Sequence, residues 1–247
     1  MRLLPWKPSK RLWSKPWRGT IPLMTPFTVS SIRGVPPFPI LHVFTVQRVR
    51  KTALNLASDP SISSRSPDLL VIEFSALLHD VLDKKYVSES ISSDPYAFFL
   101  PMFEELDKMY PSVGLLAEDG SRARLITNIV TNVSWTTEKK LRKEEKWGPW
   151  HDECVELHCV QDADRLDAIG AFGIMRCSAY TAVTSNPLHV PNGHPSQTTS
   201  AVQHFYDKLL HIKDRLKTEP GKRMGQKRHE LMLQFLKAVE EEYKGEQ

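Results

Sequence analysis

A chain of 247 residues, 40% hydrophobic and 25% charged, is long enough to bury one substantial core and has the make-up of an ordinary globular protein. Its formal net charge of +4 hints at nucleic-acid binding until it is divided along the chain: residues 1–44 hold seven Lys or Arg and no acid, leaving 26 basic against 29 acidic residues afterward. A body of net charge −3 lacks the basic surface of a phosphate-backbone binder, so nucleic acid is set aside as a partner.

The first 44 residues carry eight prolines and three of the six tryptophans with no sustained helical or alternating period. They are read as outside the domain: a disordered, targeting or misannotated segment, since the prolines suit an amphipathic transit peptide poorly. From about Val43 the pattern changes. Val46, Val49, Ala53 and Leu56 recur at three- and four-residue spacing and predict one helix face, ending at "SDP".

"SISSRSPD" at 61–68 reads as a loop closing on Pro67 and Asp68, good helix-start chemistry, and the helix that follows is expected to carry His79 and Asp80. Its stretch from Leu69 to Leu78 is the most apolar of the chain, but Glu73 interrupts it and it is far short of the ~20 residues that span a bilayer, so no membrane partner is expected. Further helices are predicted from "SSDPYAFFLPMFEEL" and over "GSRARLITNIVTNVSW", where Leu125, Ile129 and Val133 form a stripe. "TEKKLRKEEKWGPW" is a solvated loop or short helix, and "DECVELHCVQDADRLDAIGAFGIMRCSAYTAV" a long buried helical region with a break near Gln161. A loop at "TSNPLHVPNGHPSQTT" precedes helices over "SAVQHFYDKLLHIKDRL" and "KRHELMLQFLKAVEEEY". With no β-rich run or repeat, the fold class is all-α, a compact multi-helix domain over residues 45–245.

The chemistry gathers in two places. His79 and Asp80 follow an apolar helical run, where an uncompensated imidazole or carboxylate is costly. His151 and Asp152 repeat the pair after the polar, turn-prone "EEKWGPW", which favours a structural role. In "QDADRLDAIGAFGI" three acids, Asp162, Asp164 and Asp167, lead into an apolar helix whose Ala168, Gly170, Ala171 and Gly173 would admit another helix closely, with Arg165 off to the side. Carboxylates entering a core need a cation, and a metal ion would supply one.

On "ALLHDVLDKKY", "QDADRLDAIGAFGI" and the later "HFYDKLL" with its trailing "KTEPGKR", in that order over about residues 46–243, the chain resembles the HD-domain metal-dependent phosphohydrolases, in particular their small single-domain subgroup. The resemblance implies a divalent metal, Mn, Mg or another transition metal, held by His79, Asp80 and Asp164, with Asp162 the weaker occupant of the last role. Those residues would also be catalytic, an open coordination position serving a water and a phosphate oxygen. The implied substrate is a small phosphorylated molecule, a nucleotide ester or anhydride.

Lys84, one turn after Asp80, either pairs with an acid or reaches a substrate phosphate, and Lys208 is a weaker phosphate candidate. The family's first His belongs to an H-x-x-R-V segment, and here "TVQRV" puts Thr45 in its place, with His42 three residues upstream. This departure supports an alternative, a degraded domain that binds or scaffolds without turnover.

The remaining conspicuous residues read as structural. Cys154, His158 and Cys159 are expected to pack in the core, Trp147 and Trp150 to pack locally, and His204 and His211 to be surface or packing residues. Cys154, Cys159 and Cys177 form no C-x-x-C spacing, which suits a reducing compartment: the cytoplasm, or an organelle if the first 44 residues are a targeting segment.

Overall fold

The computed structural model describes residues 40–82 and 94–245, with only the backbone of residues 40–43 and 119. The bulk of the proline-rich segment, residues 1–39, and Lys84 lie outside the described residues. Those residues contain helices and no strand.

Three helices form the centre. Helix α1 (Ile40–Ala57) buries Val46, Val49, Ala53 and Leu56, the stripe expected from their spacing. A single turn, α2 (Pro60–Ser63), follows, capped by Asp59. Helix α3 (Leu69–Leu78) is hidden from Val71 to Leu78 on every face, Glu73 included. That carboxylate is tolerated because Arg50 of α1 brings both Nε, at 2.7 Å, and Nη2 to its Oε1. Asp68 caps α3 by accepting from the backbone N–H groups of Leu70 and Val71, and its other oxygen takes Arg122 Nε at 2.7 Å.

Helix α4 (Pro95–Met109) and helix α5 (Ala117–Asn132) pack on each other, and α5 also lies on α3. Buried Ala123, Ile126, Ile129, Val130 and Val133 widen the expected stripe, of which Leu125 is only partly buried. The charged run forms α6 (Trp135–Lys143) and a short α7 (Pro149–Glu153). Helix α8 (Val155–Asp167) packs against α1 and α3.

The long region after residue 152 differs from expectation. It breaks at Cys154 and again at residues 168–169, and not at Gln161, which is fully buried mid-helix. The second break needs Gly170, at φ 75°, where a Cβ would meet Arg228 Cγ at 2.8 Å. Gly173 faces the Ala168 carbonyl oxygen, which a Cβ would approach to 2.4 Å, so it serves the chain's own turn and not the approach of another helix; Ala171 is exposed. Helix α9 (Gly170–Val183) is then largely open, with Met175, Tyr180 and Val183 exposed. After α10 (Ala201–Asp207) come two 3-10 turns and α11 (Glu219–Lys244), which starts earlier than its apolar pattern because Thr218 caps it and Pro220 occupies its first turn. No described helix is long and apolar enough to cross a membrane.

Candidate functional site at the ends of α3 and α8

Helix α3 ends one residue before the His-Asp pair, so His79 is its C-cap and Asp80 follows in a turn. The His79 Nδ1–H donates to the Ala76 carbonyl at 2.8 Å, satisfying one of the orphan acceptors at a helix end. A neutral ring with Nδ1 so committed presents the lone pair of Nε2. That nitrogen points at Asp164 Oδ1, 3.8 Å away, with the imidazole almost wholly buried and 40% of the Asp164 side chain open.

Each polar residue of "DADRLD" leaves α8 in its own direction. Asp162, fully buried, accepts from the backbone N–H of Lys217 at 2.9 Å, and from the N–H and hydroxyl of Thr218, each at 2.7 Å. It fastens the start of α11, and Gly221 lies so close that a Cβ there would come within 2.4 Å of its Oδ2. Burial still pushes the Asp162 carboxyl above its ordinary range, against these donors. Arg165 turns to Glu138 at 2.6 Å, off to the side as expected. Asp167 accepts from Arg48 (Nε at 2.8 Å, Nη2 at 3.1 Å) and from Arg176 Nη1 at 2.7 Å.

The protein itself therefore compensates Asp162 and Asp167, and the expectation that the three acids jointly need a metal narrows to one. Asp164 has His79 as its direct partner among the described residues. Its enclosure pushes its pKa up, the facing imidazole draws it down only when it carries a proton on both nitrogens, and the nearby Asp80 pushes it up again.

A divalent ion fits this chemistry in part. A lone-pair imidazole nitrogen held by a backbone carbonyl, a facing carboxylate and a second carboxylate close by are suitable donors. Among the described residues, however, no group of three or more His, Cys, Asp or Glu is arranged to hold an ion. Thr45, where the resemblance calls for a further imidazole, offers a hydroxyl that accepts from Arg48 Nη2 at 3.2 Å. His42 lies in the first turn of α1, its side chain outside the described residues. Lys208 is exposed at the C-cap of α10, and no contact joins it to His79 or Asp164. Sequence reasoning missed Arg48 and Arg176, whose only signals were the fourth position of "TVQR" and a lone arginine in an apolar helix.

The second His-Asp pair is structural. His151 accepts from the Gly148 N–H, donates to Asn132 Oδ1 and stacks on Trp147 at 4.3 Å, while Asp152 accepts from the Trp147 indole. Burial raises the thiol pKa of Cys154 to about 11 and of Cys159 to about 12, and lowers that of the His158 imidazole, whose Nε2–H donates to the His151 carbonyl. These are core groups, as expected. His204 and His211 are exposed.

No model of a known protein family matches the chain. It is 33% identical to protein YpgQ of Bacillus subtilis over 178 residues, covering 72% of this chain and 75% of that protein. A crystal structure of an HD-superfamily hydrolase from Bacillus thuringiensis superposes with a TM-score of 0.61 at 26% identity, covering 89% of this chain and 95% of that one. The crystal structure of YpgQ in complex with ADP superposes with a TM-score of 0.56 at 26% identity, covering 81% and 88%.

Proposed function

Because the chain belongs to the HD-domain superfamily, we propose that it is a metal-dependent phosphohydrolase acting on nucleotide phosphate esters or anhydrides. The observation that carries this reading is the His79–Asp164 pair: Asp164, the acid of "DADRLD" to which no donor among the described residues bonds directly, faces the Nε2 of His79, with Asp80 nearby. His79, Asp80 and Asp164 would hold the ion. When bound, it would acidify a water and offset charge building on the phosphoryl group. His79 brings a nitrogen whose direction is fixed by its bond to Ala76, and the open part of Asp164 can orient a water by accepting its hydrogen bond. The ADP bound to YpgQ supports a nucleotide as the class to try first.

The test is hydrolysis by the purified chain, with manganese or magnesium, of a panel of nucleoside mono-, di- and triphosphates, alongside His79→Ala and Asp164→Asn. Metal-dependent release of phosphate or pyrophosphate that both substitutions abolish is the expected result. Thr45 favours a second reading, a degraded relative that binds without turnover, since its neutral hydroxyl is a poorer donor than imidazole and is already engaged by Arg48. Nucleotide binding with no hydrolysis under any metal would select that reading.

A further inference from the structure

A phosphorylated substrate brings negative charge to a place that already holds the carboxylates of Asp80 and Asp164, on a body of net charge −3. The divalent ion of the proposed site would offset part of that charge, and a substrate with a second phosphate calls for further cations close by. Of the two lysines singled out from the sequence, Lys208 sits beyond α10, and Lys84 lies outside the described residues. Two guanidiniums do stand one turn of α8 away from Asp164, gathered on Asp167.

Asp167 is buried, and it holds Arg48 from α1 and Arg176 from α9 at once. One carboxylate against two guanidiniums leaves a surplus positive charge. Arg48 spends Nε and Nη2 on Asp167, with Nη2 also reaching Thr45, and its guanidinium carbon lies 4.1 Å from the centre of the Phe172 ring. Among the described residues Arg176 bonds through Nη1, to Asp167, and 51% of its side chain is open, so its guanidinium can still turn donors to an anion. On α9, Phe172, Arg176 and Tyr180 follow at four-residue spacing, an aromatic, cationic, aromatic stripe on one face, and Tyr180 is 71% exposed.

We infer that this stripe is the nucleotide-recognition face of the site, Arg176 with Arg48 taking the phosphate next to the one at His79 and Asp164, and Tyr180 stacking on the base. The inference rests on the phosphohydrolase reading for the position of the first phosphate, but its test reads binding and not turnover. Arg176 is in this account a specificity-determining residue, and Asp167 the group that positions it.

The experiment is calorimetric titration of the full chain with inorganic pyrophosphate and with ADP, in manganese-containing buffer, for the parent, Arg176→Gln, Arg176→Lys and Tyr180→Ala, each checked by thermal melting. Loss of a charge-assisted contact should weaken pyrophosphate and ADP alike in Arg176→Gln by about tenfold or more. Arg176→Lys should recover part of that loss. Tyr180→Ala should leave pyrophosphate unchanged and weaken ADP by about fivefold or more, the scale of one base–aromatic stack. If Arg176→Gln lowers the melting temperature while pyrophosphate affinity stays within twofold, Arg176 only staples α9 to α8 and the inference is wrong. A parent that binds neither ligand overturns it as well. A parent that binds both with the expected pattern and hydrolyses no nucleotide upholds the recognition face and removes the hydrolase reading instead.

Discussion

At the scale of single residues, two His-Asp pairs of identical composition have different work because their neighbours differ. Both ring nitrogens of His151 are spent on the protein, on the Gly148 N–H and Asn132 Oδ1. His79 spends one, on Ala76, and turns the other to a carboxylate. His79→Ala and Asp80→Ala are therefore expected to abolish manganese binding in a calorimetric titration, while His151→Ala keeps it; equal loss in all three folded variants would show that the site has been misplaced. Thr45 sharpens the point. Its hydroxyl accepts from Arg48, so an imidazole placed there adds a strong donor and releases one Arg48 hydrogen bond that Asp167 continues to share. Thr45→His should raise manganese affinity on the order of tenfold, the scale on which metal sites respond to a change in their supporting groups. If the parent already binds tightly and His42→Ala silences it, His42 is the ligand and Thr45 is incidental.

At the scale of elements, the pattern of a helix is legible when one face is buried and the other is not. Helix α1 is such a case, and Val46, Val49, Ala53 and Leu56 announce it. Helix α9 is not, because apolar Met175 and Val183 are exposed and make an open helix read as a buried one. The start of α11 precedes its apolar pattern and shows locally only in Thr218 and Pro220; that this cap is also held by Asp162, more than fifty residues earlier, is a bond that no local spacing reports. The site divides along the same line. His79, Asp80 and Asp164 could be picked out by motif, but that Asp162 is hydrogen-bonded by Lys217 and Thr218 and Asp167 paired with Arg48 and Arg176 depends on residues that only the fold brings near. The Asp162 junction yields a prediction. In Gly221→Ala the new Cβ would lie 2.4 Å from Asp162 Oδ2 and 2.6 Å from Thr218 Oγ1, both held in place by hydrogen bonds. The better helix former should thus destabilise the protein, by about 1–3 kcal/mol for enforced overpacking, measured by denaturant unfolding. A gain in stability would mean that the junction is slack.

At the scale of the whole molecule, one carboxylate ties together regions that the backbone leaves apart. Glu138 of α6, 3% exposed, meets Arg142 on its own helix at 3.0 Å, Arg165 of α8 at 2.6 Å and Lys217 before α11 at 3.1 Å. Trp135 and Trp147 line the cluster, each in contact with two of the cations gathered there, Arg165 and Arg215 over the first, Arg142 and Lys217 over the second. Burial works to raise the Glu138 pKa, but the hydrogen bond and charge of Arg165, with Lys217 behind them, outweigh it and hold the carboxyl below its ordinary 4.5. An acid whose folded pKa is depressed adds stability that is present above the unfolded value and fades as pH falls from about 4.5 through the lower folded value. Asp162 acts in the opposite sense: its raised pKa favours the folded state at low pH, and that advantage disappears as pH rises from 3.8 through the folded value. The contributions of these two groups partly cancel as pH falls. In Glu138→Gln only the Asp162 contribution remains of this pair, and the cluster's buried cations lose their counter-charge. Stability at neutral pH should drop by about 3 kcal/mol or more, the cost of breaking a buried charge pair, and the gap between parent and variant should close as pH falls below 4.5. Denaturant unfolding of both proteins from pH 3 to 7 measures that gap, and one that stays constant across this range would mean that Glu138 is not the charge on which the cluster is built.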